Sequence, residues 1–242
     1  MNKSSLQMLR LIPLAIFVFS ILHFPALGQN PYALLKTIRN DFNRINDLKC
    51  KADMQFNIPG VKLERISGNL FYKKPGKFRV NANGLIFVPK QSPFLQLETL
   101  ADTTTYVAVL TGPEEVNGKA CHGVTVIPNN NEDLMVMKLA IGKADGRIHR
   151  AQLTLKREGT VTYYNTYASA TGILPSEVIF EGDFRKFKMP KALTGDIGGK
   201  TEKPAKDDKG FETGRIRMTL TEVELNRKIS DSVFEDAQAL RD

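Results

Sequence analysis

The sequence predicts a mainly β, α+β fold: a curled antiparallel sheet whose apolar face is covered in part by helices. Three observations carry this expectation. From residue 51 onward, apolar and polar residues alternate with a period of two, as in strands with one buried and one wet face. Turn signals such as Pro59-Gly60, Lys74-Pro75-Gly76, Asp145-Gly146 and Glu158-Gly159 punctuate the alternating runs. Helical spacing occurs only ahead of the first strand and after the third.

The chain opens with the three parts of a secretory signal peptide. Lys3 and Arg10 give a positive start, Leu11 to Leu22 form an uncharged apolar run, and Pro25-Ala26-Leu27-Gly28 offers small residues before Gln29. The apolar run is short for a membrane span, which takes about 20 residues. Residues 1–28 are therefore expected to be cleaved on export to the periplasm. Residues 29–242 then form a single domain, long enough to bury a core. The net charge of +8 falls by two with Lys3 and Arg10, leaving a mildly basic protein without the charge density of a nucleic-acid binder. Two cysteines remain, Cys50 and Cys121. In an oxidising compartment they read either as a disulfide, worth roughly 4 kcal/mol for so long a loop, or as two separate thiols.

Residues 31–48 predict a helix, with Pro31 in the first turn and Leu34, Leu35, Ile38, Phe42 and Ile45 in one stripe. In the first strand Ala52, Met54, Phe56 and Ile58 share a face. The second, at 62–73, puts Ile66, Gly68, Leu70 and Tyr72 inward, and the third, at 77–82, adds Phe78 and Val80. Ser92 caps a short helix over 92–101, with Pro93 at its first position. Further strands are expected at 104–111, 119–127, 134–141, 147–157, 160–167, 176–181 and 214–226, with Gly112-Pro113 read as a turn. Short connections predict that neighbours pair in sequence order, giving about nine or ten strands. Residues 188–213, rich in glycine, proline and lysine, read as a long mobile basic loop.

The sequence lacks a Gly-x-Ser-x-Gly elbow, a His-Glu-x-x-His pair and a phosphate-cradling glycine loop. His122 and His149 are the histidines left after residue 28, too few for a histidine-rich metal site. No catalytic constellation, cofactor or metal is expected, and the chain is read as a non-enzyme. The informative feature is the apolar sheet face. A sheet of this size curls, and two helices leave much of that face as an open hollow. Flexible side chains there suit acyl chains, each methylene contributing about 0.8 kcal/mol on burial. Parity places Met54, Phe56, Ile58, Leu70, Tyr72, Phe78 and Val80 on the cavity wall, with Met137, Leu139 and Leu153 from later strands and Phe94 and Leu95 from the short helix. Asp53, Gln55, Asn69 and Arg79 fall on the wet face.

In order along the chain, Gly68-Asn69-Leu70-Phe71-Tyr72-Lys73-Lys74-Pro75, Ser92-Pro93-Phe94-Leu95-Gln96-Leu97, Asp145-Gly146-Arg147-Ile148-His149, Leu174-Pro175 and Ile229 to Phe234 form a set. This set resembles the periplasmic outer-membrane lipoprotein carrier family, the LolA type, in its broad lipoprotein-sorting branch. The resemblance implies a half-barrel of about eleven strands, as in LolA and LolB, with helices over the concave face and a cavity for acyl chains of lipids or lipoproteins. It implies a monomer that exchanges cargo with an inner-membrane donor complex and an outer-membrane acceptor. The alternative is a lipid-sensing regulatory or scaffolding domain on the same fold that holds a protein partner. The family's arginine before the strand-end proline contacts the helical lid; Lys74 stands there, without the planar fork of arginine.

Overall fold

The structure is a computed structural model describing residues 30–58, 65–82, 85–87, 98–157, 159–169, 172–183 and 213–235. The expected signal peptide, Phe94, Leu95 and the basic loop at 188–213 (Thr213 excepted) lie outside these residues.

Helix α1 (Pro31–Asn43) begins where its signals place it. The Asn30 side chain accepts from the Tyr32 N–H at 2.9 Å, and Pro31 occupies the first position. Its stripe buries Leu35, Ile38 and Phe42. The helix stops five residues short of the expected end, and the cause is distant in sequence. Asn226 accepts from the Asn46 N–H at 2.7 Å and donates to the Arg44 carbonyl at 2.8 Å. The Asp47 carboxylate accepts from the N–H groups of Arg227 and Lys228 at 2.8 and 3.0 Å. These bonds turn the chain out of the helix and start β1 (Asp47–Asn57).

The remaining strands are β2 (Arg65–Lys73), β3 (Lys77–Ala82), β4 (Leu85–Phe87), β5 (Tyr106–Val116), β6 (Lys119–Pro128), β7 (Leu134–Gly142), β8 (Ile148–Leu155), β9 (Gly159–Thr166), β10 (Glu177–Gly182) and β11 (Gly214–Leu225). A four-residue helix, α2 (Ser232–Glu235), follows. The eleven strands of the described residues form one antiparallel sheet in the order β4-β3-β2-β1-β11-β10-β9-β8-β7-β6-β5. Pairing in sequence order therefore fails at one junction. The first and last strands pair, from Leu48 opposite Leu225 to Asn57 opposite Arg215, and this puts β4 and β5 at opposite edges. The sheet is open, because these two edges do not pair with each other.

Gly112-Pro113 does not turn the chain. It lies within β5, beside a bulge between Leu110 and Gly112. An edge strand tolerates a proline, whose missing N–H costs no ladder bond on the open side. The turn is made by Asn117 and Gly118, both at positive φ (50° and 76°), the conformation a two-residue hairpin requires.

The parity of the first three strands holds. Leu70 lies opposite Cys50 and Val80, and Tyr72 opposite Leu48 and Phe78. Tyr32 of α1 stacks on Tyr106 at 6.0 Å and its hydroxyl accepts from the Ala108 N–H, so the helix guards the β5 edge. The outer face is not wet throughout. Arg79 is buried there and donates to the Val233 carbonyl, while Asp231 pairs with Lys73 and Lys77 at 2.7 and 2.9 Å. The C-terminal segment thus covers β2 and β3 from outside. Met135 shares the parity of the inward Met137 and Leu139, yet it is exposed because a bulge between Leu134 and Val136 turns it out.

Candidate functional site: an apolar cavity under the first helix

A cavity of about 100 Å³ lies between α1 and the inner face of the sheet. Its floor is built by period-two residues of four adjacent strands: Met137 and Leu139 from β7, Ala151 and Leu153 from β8, Tyr163 from β9 and Val178 from β10. Register brings them together, with Met137 opposite Leu153, Leu139 opposite Ala151, and Ala151 opposite Tyr163. Ile38 and Phe42 of α1, Ile45 just after it, and the Ile173-Leu174-Pro175 stretch complete the lining. One end is polar. Arg147, Asn165 and Tyr167 line it where the β7–β8 hairpin closes, and Asp41 approaches from α1.

Of the residues assigned to the cavity wall from sequence, Met137, Leu139 and Leu153 line this cavity. Met54, Ile58, Leu70, Tyr72, Phe78 and Val80 are buried, and Phe56 packs against the same core, but none lines the cavity. Over β1–β3 the inner face is already filled. The Phe42 ring lies 6.0 Å from that of Tyr72, and Leu100 is buried in the same cluster. The Tyr72 hydroxyl donates to Glu98 at 2.8 Å, and burial with that carboxylate drives its pKa upward. The hollow therefore lies over β7–β10, with Phe42 at its boundary. Tyr163 and Val178 were legible by the same parity rule. The helix residues and Asn165 were not, because their place depends on how α1 and β10 dock.

Lys74 does meet the helix. Its Nζ donates to the Phe42 carbonyl at 2.7 Å and sits 4.3 Å from the Phe42 ring centroid. α1 has no basic residue in its last turn, so Lys74 supplies, from the β2–β3 turn, the cation that a helix C-terminus favours. Burial lowers the Lys74 pKa, and the Glu98 carboxylate works against that shift.

The cysteines are free thiols, which corrects the disulfide reading. Cys50 belongs to the main core on the inner face. Cys121 packs with Val116, Ala140 and Tyr164 in a separate cluster, and its neighbours in register, Glu114 and Gly142, mark the outer face. Five strands separate β1 from β6. A disulfide spans Cα atoms roughly 4.4–6.8 Å apart, and adjacent strands alone lie about 4.8 Å apart. Burial pushes the Cys50 thiol up to about 12. His149 serves the hairpin: its buried ring meets the Asp145 carboxylate at 2.9 Å and stands edge-on to Tyr167. Burial works to raise the Asp145 pKa, but the Arg147 N–H and His149 outweigh it and hold the carboxyl below its usual range.

An open antiparallel sheet with a helix over its apolar face is also the architecture of three solved structures. A LolA superfamily protein from Nitrosomonas europaea matches with a TM-score of 0.53 at 10% identity, covering 86% of this chain and 98% of its own. A domain from Vibrio parahaemolyticus, named for outer membrane lipoprotein sorting, gives 0.55 at 9%, covering 86% and 97%. A DUF1329 family protein from Desulfovibrio piger gives 0.52 at 13%, covering 87% and 99%. The fold is LolA-like. No family model and no curated protein matches the sequence, so the LolA-like likeness is one of architecture.

Proposed function

We propose that the protein is an exported, periplasmic carrier that takes acyl chains of lipids or lipoproteins into the cavity under α1 and moves them toward the outer membrane without covalent chemistry. The observation that carries this reading is the apolar cavity between a helix and an unclosed sheet. The names of the two solved relatives linked to LolA and to lipoprotein sorting support it. At about 100 Å³ the cavity is smaller than the ~150 Å³ that holds one benzene ring. A chain of a dozen methylenes enters only if α1 lifts. The contacts that hold α1 down, Lys74 on Phe42 and Tyr32 on Tyr106, are then the ones that yield on loading. The test is purification from the periplasm without detergent, followed by mass spectrometry of extracted lipid and uptake of a fluorescent fatty acid. Co-purified acyl lipid, exchangeable with vesicles, is expected. A protein that carries no lipid and takes up none overturns the reading; a stable protein complex altered by lipid indicates a sensor instead.

A further inference from the structure

On the outer face of β2 and β3, three cations share a single carboxylate. Lys73 lies opposite Lys77 in register, and Arg79 follows two residues along β3 on the same face. The chain's own residues 229–235 lie across them. Lys73 Nζ donates to the Ile229 carbonyl at 2.8 Å, Asp231 bridges Lys73 and Lys77, and Arg79 Nη1 donates to the Val233 carbonyl. Bonds from Lys73 and Lys77 hold the Asp231 carboxyl below its usual range. This surface therefore already receives a peptide, with an acid at its centre.

The match is incomplete at Arg79. That side chain is only 6% exposed, yet its Nε has no hydrogen-bond partner, and its guanidinium meets no carboxylate among the described residues. A guanidinium takes a carboxylate through two parallel N–H bonds, whereas the Val233 carbonyl is a single neutral acceptor. A buried charged donor left without an acceptor is costly. The internal segment is also lightly held. None of residues 229–235 is buried, and the described polar bonds between this stretch and the sheet come from Lys73, Lys77 and Arg79. Exposed ion pairs of this kind contribute little net stability. We infer that the outer face of β2 and β3 is a docking surface for an acidic segment of a partner protein, which displaces residues 229–235 and sets one carboxylate between Lys73 and Lys77 and a second against Arg79. The C-terminal segment is then an internal competitor, and its occupancy lowers the affinity that a partner sees. This face is turned away from the cavity, so the inference is independent of the carrier reading.

The test uses the full exported chain and a fluorescein-labelled peptide, Ile-Ser-Asp-Ser-Glu-Phe, which copies residues 229–234 with glutamate in place of Val233. Fluorescence polarisation reads its binding, and the same peptide with asparagine and glutamine for its two acids is the control. Asp231→Asn loosens the internal competitor and is expected to bind the acidic peptide about tenfold more tightly than the wild type does. Adding Arg79→Gln to that variant weakens binding by about tenfold, the scale of a charge-assisted pair. Lys138→Gln, an equal change in net charge on the outer face of β7, leaves the affinity as it was. Thermal melting checks each variant; if Arg79→Gln does not fold, Arg79→Lys, which keeps the charge and loses the fork, should give an intermediate affinity. Equal binding by the wild type and Asp231→Asn, binding that survives loss of the guanidinium, or equal binding of the neutral peptide overturns the inference. Failure of every variant to bind the acidic peptide also overturns it, and residues 229–235 then only brace the sheet. Binding of Asp231→Asn to phosphatidylglycerol vesicles but not to the peptide, or its dimerisation, assigns the surface to another occupant and overturns it equally.

Discussion

Leu70 and Ala151 lie on the same face of the sheet and have opposite uses. Leu70 is wholly buried between Cys50 and Val80, in a region packed solid by α1. Leu70→Glu places a carboxylate there without a partner and is expected to unfold the protein rather than to block lipid selectively, whereas Asn69→Glu on the outer face is nearly silent. Leu70→Ala should cost about 2–5 kcal/mol, read by denaturant unfolding. Ala151 faces the cavity and is only half-buried. Ala151→Phe should fill the hollow, keep the melting temperature within a few degrees and abolish lipid uptake. A normal uptake by folded Ala151→Phe would place the lipid elsewhere. The thiols give a second expectation at this scale. Cys50 and Cys121 are buried, and a thiol with its pKa pushed up to about 12 holds no reactive thiolate at pH 8. Alkylation without reductant should add no label at Cys50 in the native protein and two labels in denaturant; no label in denaturant would mean a disulfide.

At the scale of elements, α1 is an amphipathic helix fastened at both ends over the cavity. Tyr32 and Tyr106 hold its start, and Lys74 holds its finish. Lys74→Met keeps the alkyl packing on Phe42 but deletes the charge-assisted bond to the carbonyl and the favourable charge at the helix terminus. It should destabilise by about 1–3 kcal/mol and speed lipid uptake measured by stopped-flow fluorescence. Slower or unchanged uptake with the same loss of stability would show that Lys74 only braces the β2–β3 turn. The C-terminal segment works on the other face: Asp231 and the Val233 carbonyl engage Lys73, Lys77 and Arg79, tying β2 and β3 without touching the cavity.

For the whole molecule, the open sheet leaves one side of the cavity to a helix. A closed barrel would fix its interior volume, whereas here the cavity is bounded on one side by a helix and not by a further strand. Lipid that binds only the folded, opened state stabilises it by mass action, about 2.7 kcal/mol at a hundredfold excess over Kd. The melting temperature should therefore rise with added fatty acid while amides of residues 31–43 exchange faster than in the lipid-free protein. A rise in melting temperature with slower exchange in α1 would mean that lipid binds without lifting the helix.

What the sequence determined by itself was local. Period-two alternation identified ten of the eleven strands and the inward set on the first three, since side-chain direction along a strand depends only on parity. The helix start and its first-turn proline were readable too, because the fixed φ and missing N–H of proline suit a first helical turn whatever surrounds it. The three-residue β4 was too short to show a period. The misplaced turn at Gly112-Pro113 and the outward Met135 are both bulge effects, and an extra residue in one strand shows only against its partner. Tertiary structure alone decided that the helix ends at Asn43, because the stopping bonds come from Asn226, and that Cys50 and Cys121 face opposite sides. It also decided where the hollow lies. Parity says which residues face inward, but whether an inward residue meets packed protein or empty space depends on which strands α1 covers, and that follows from the pairing of β1 with β11 across the length of the chain.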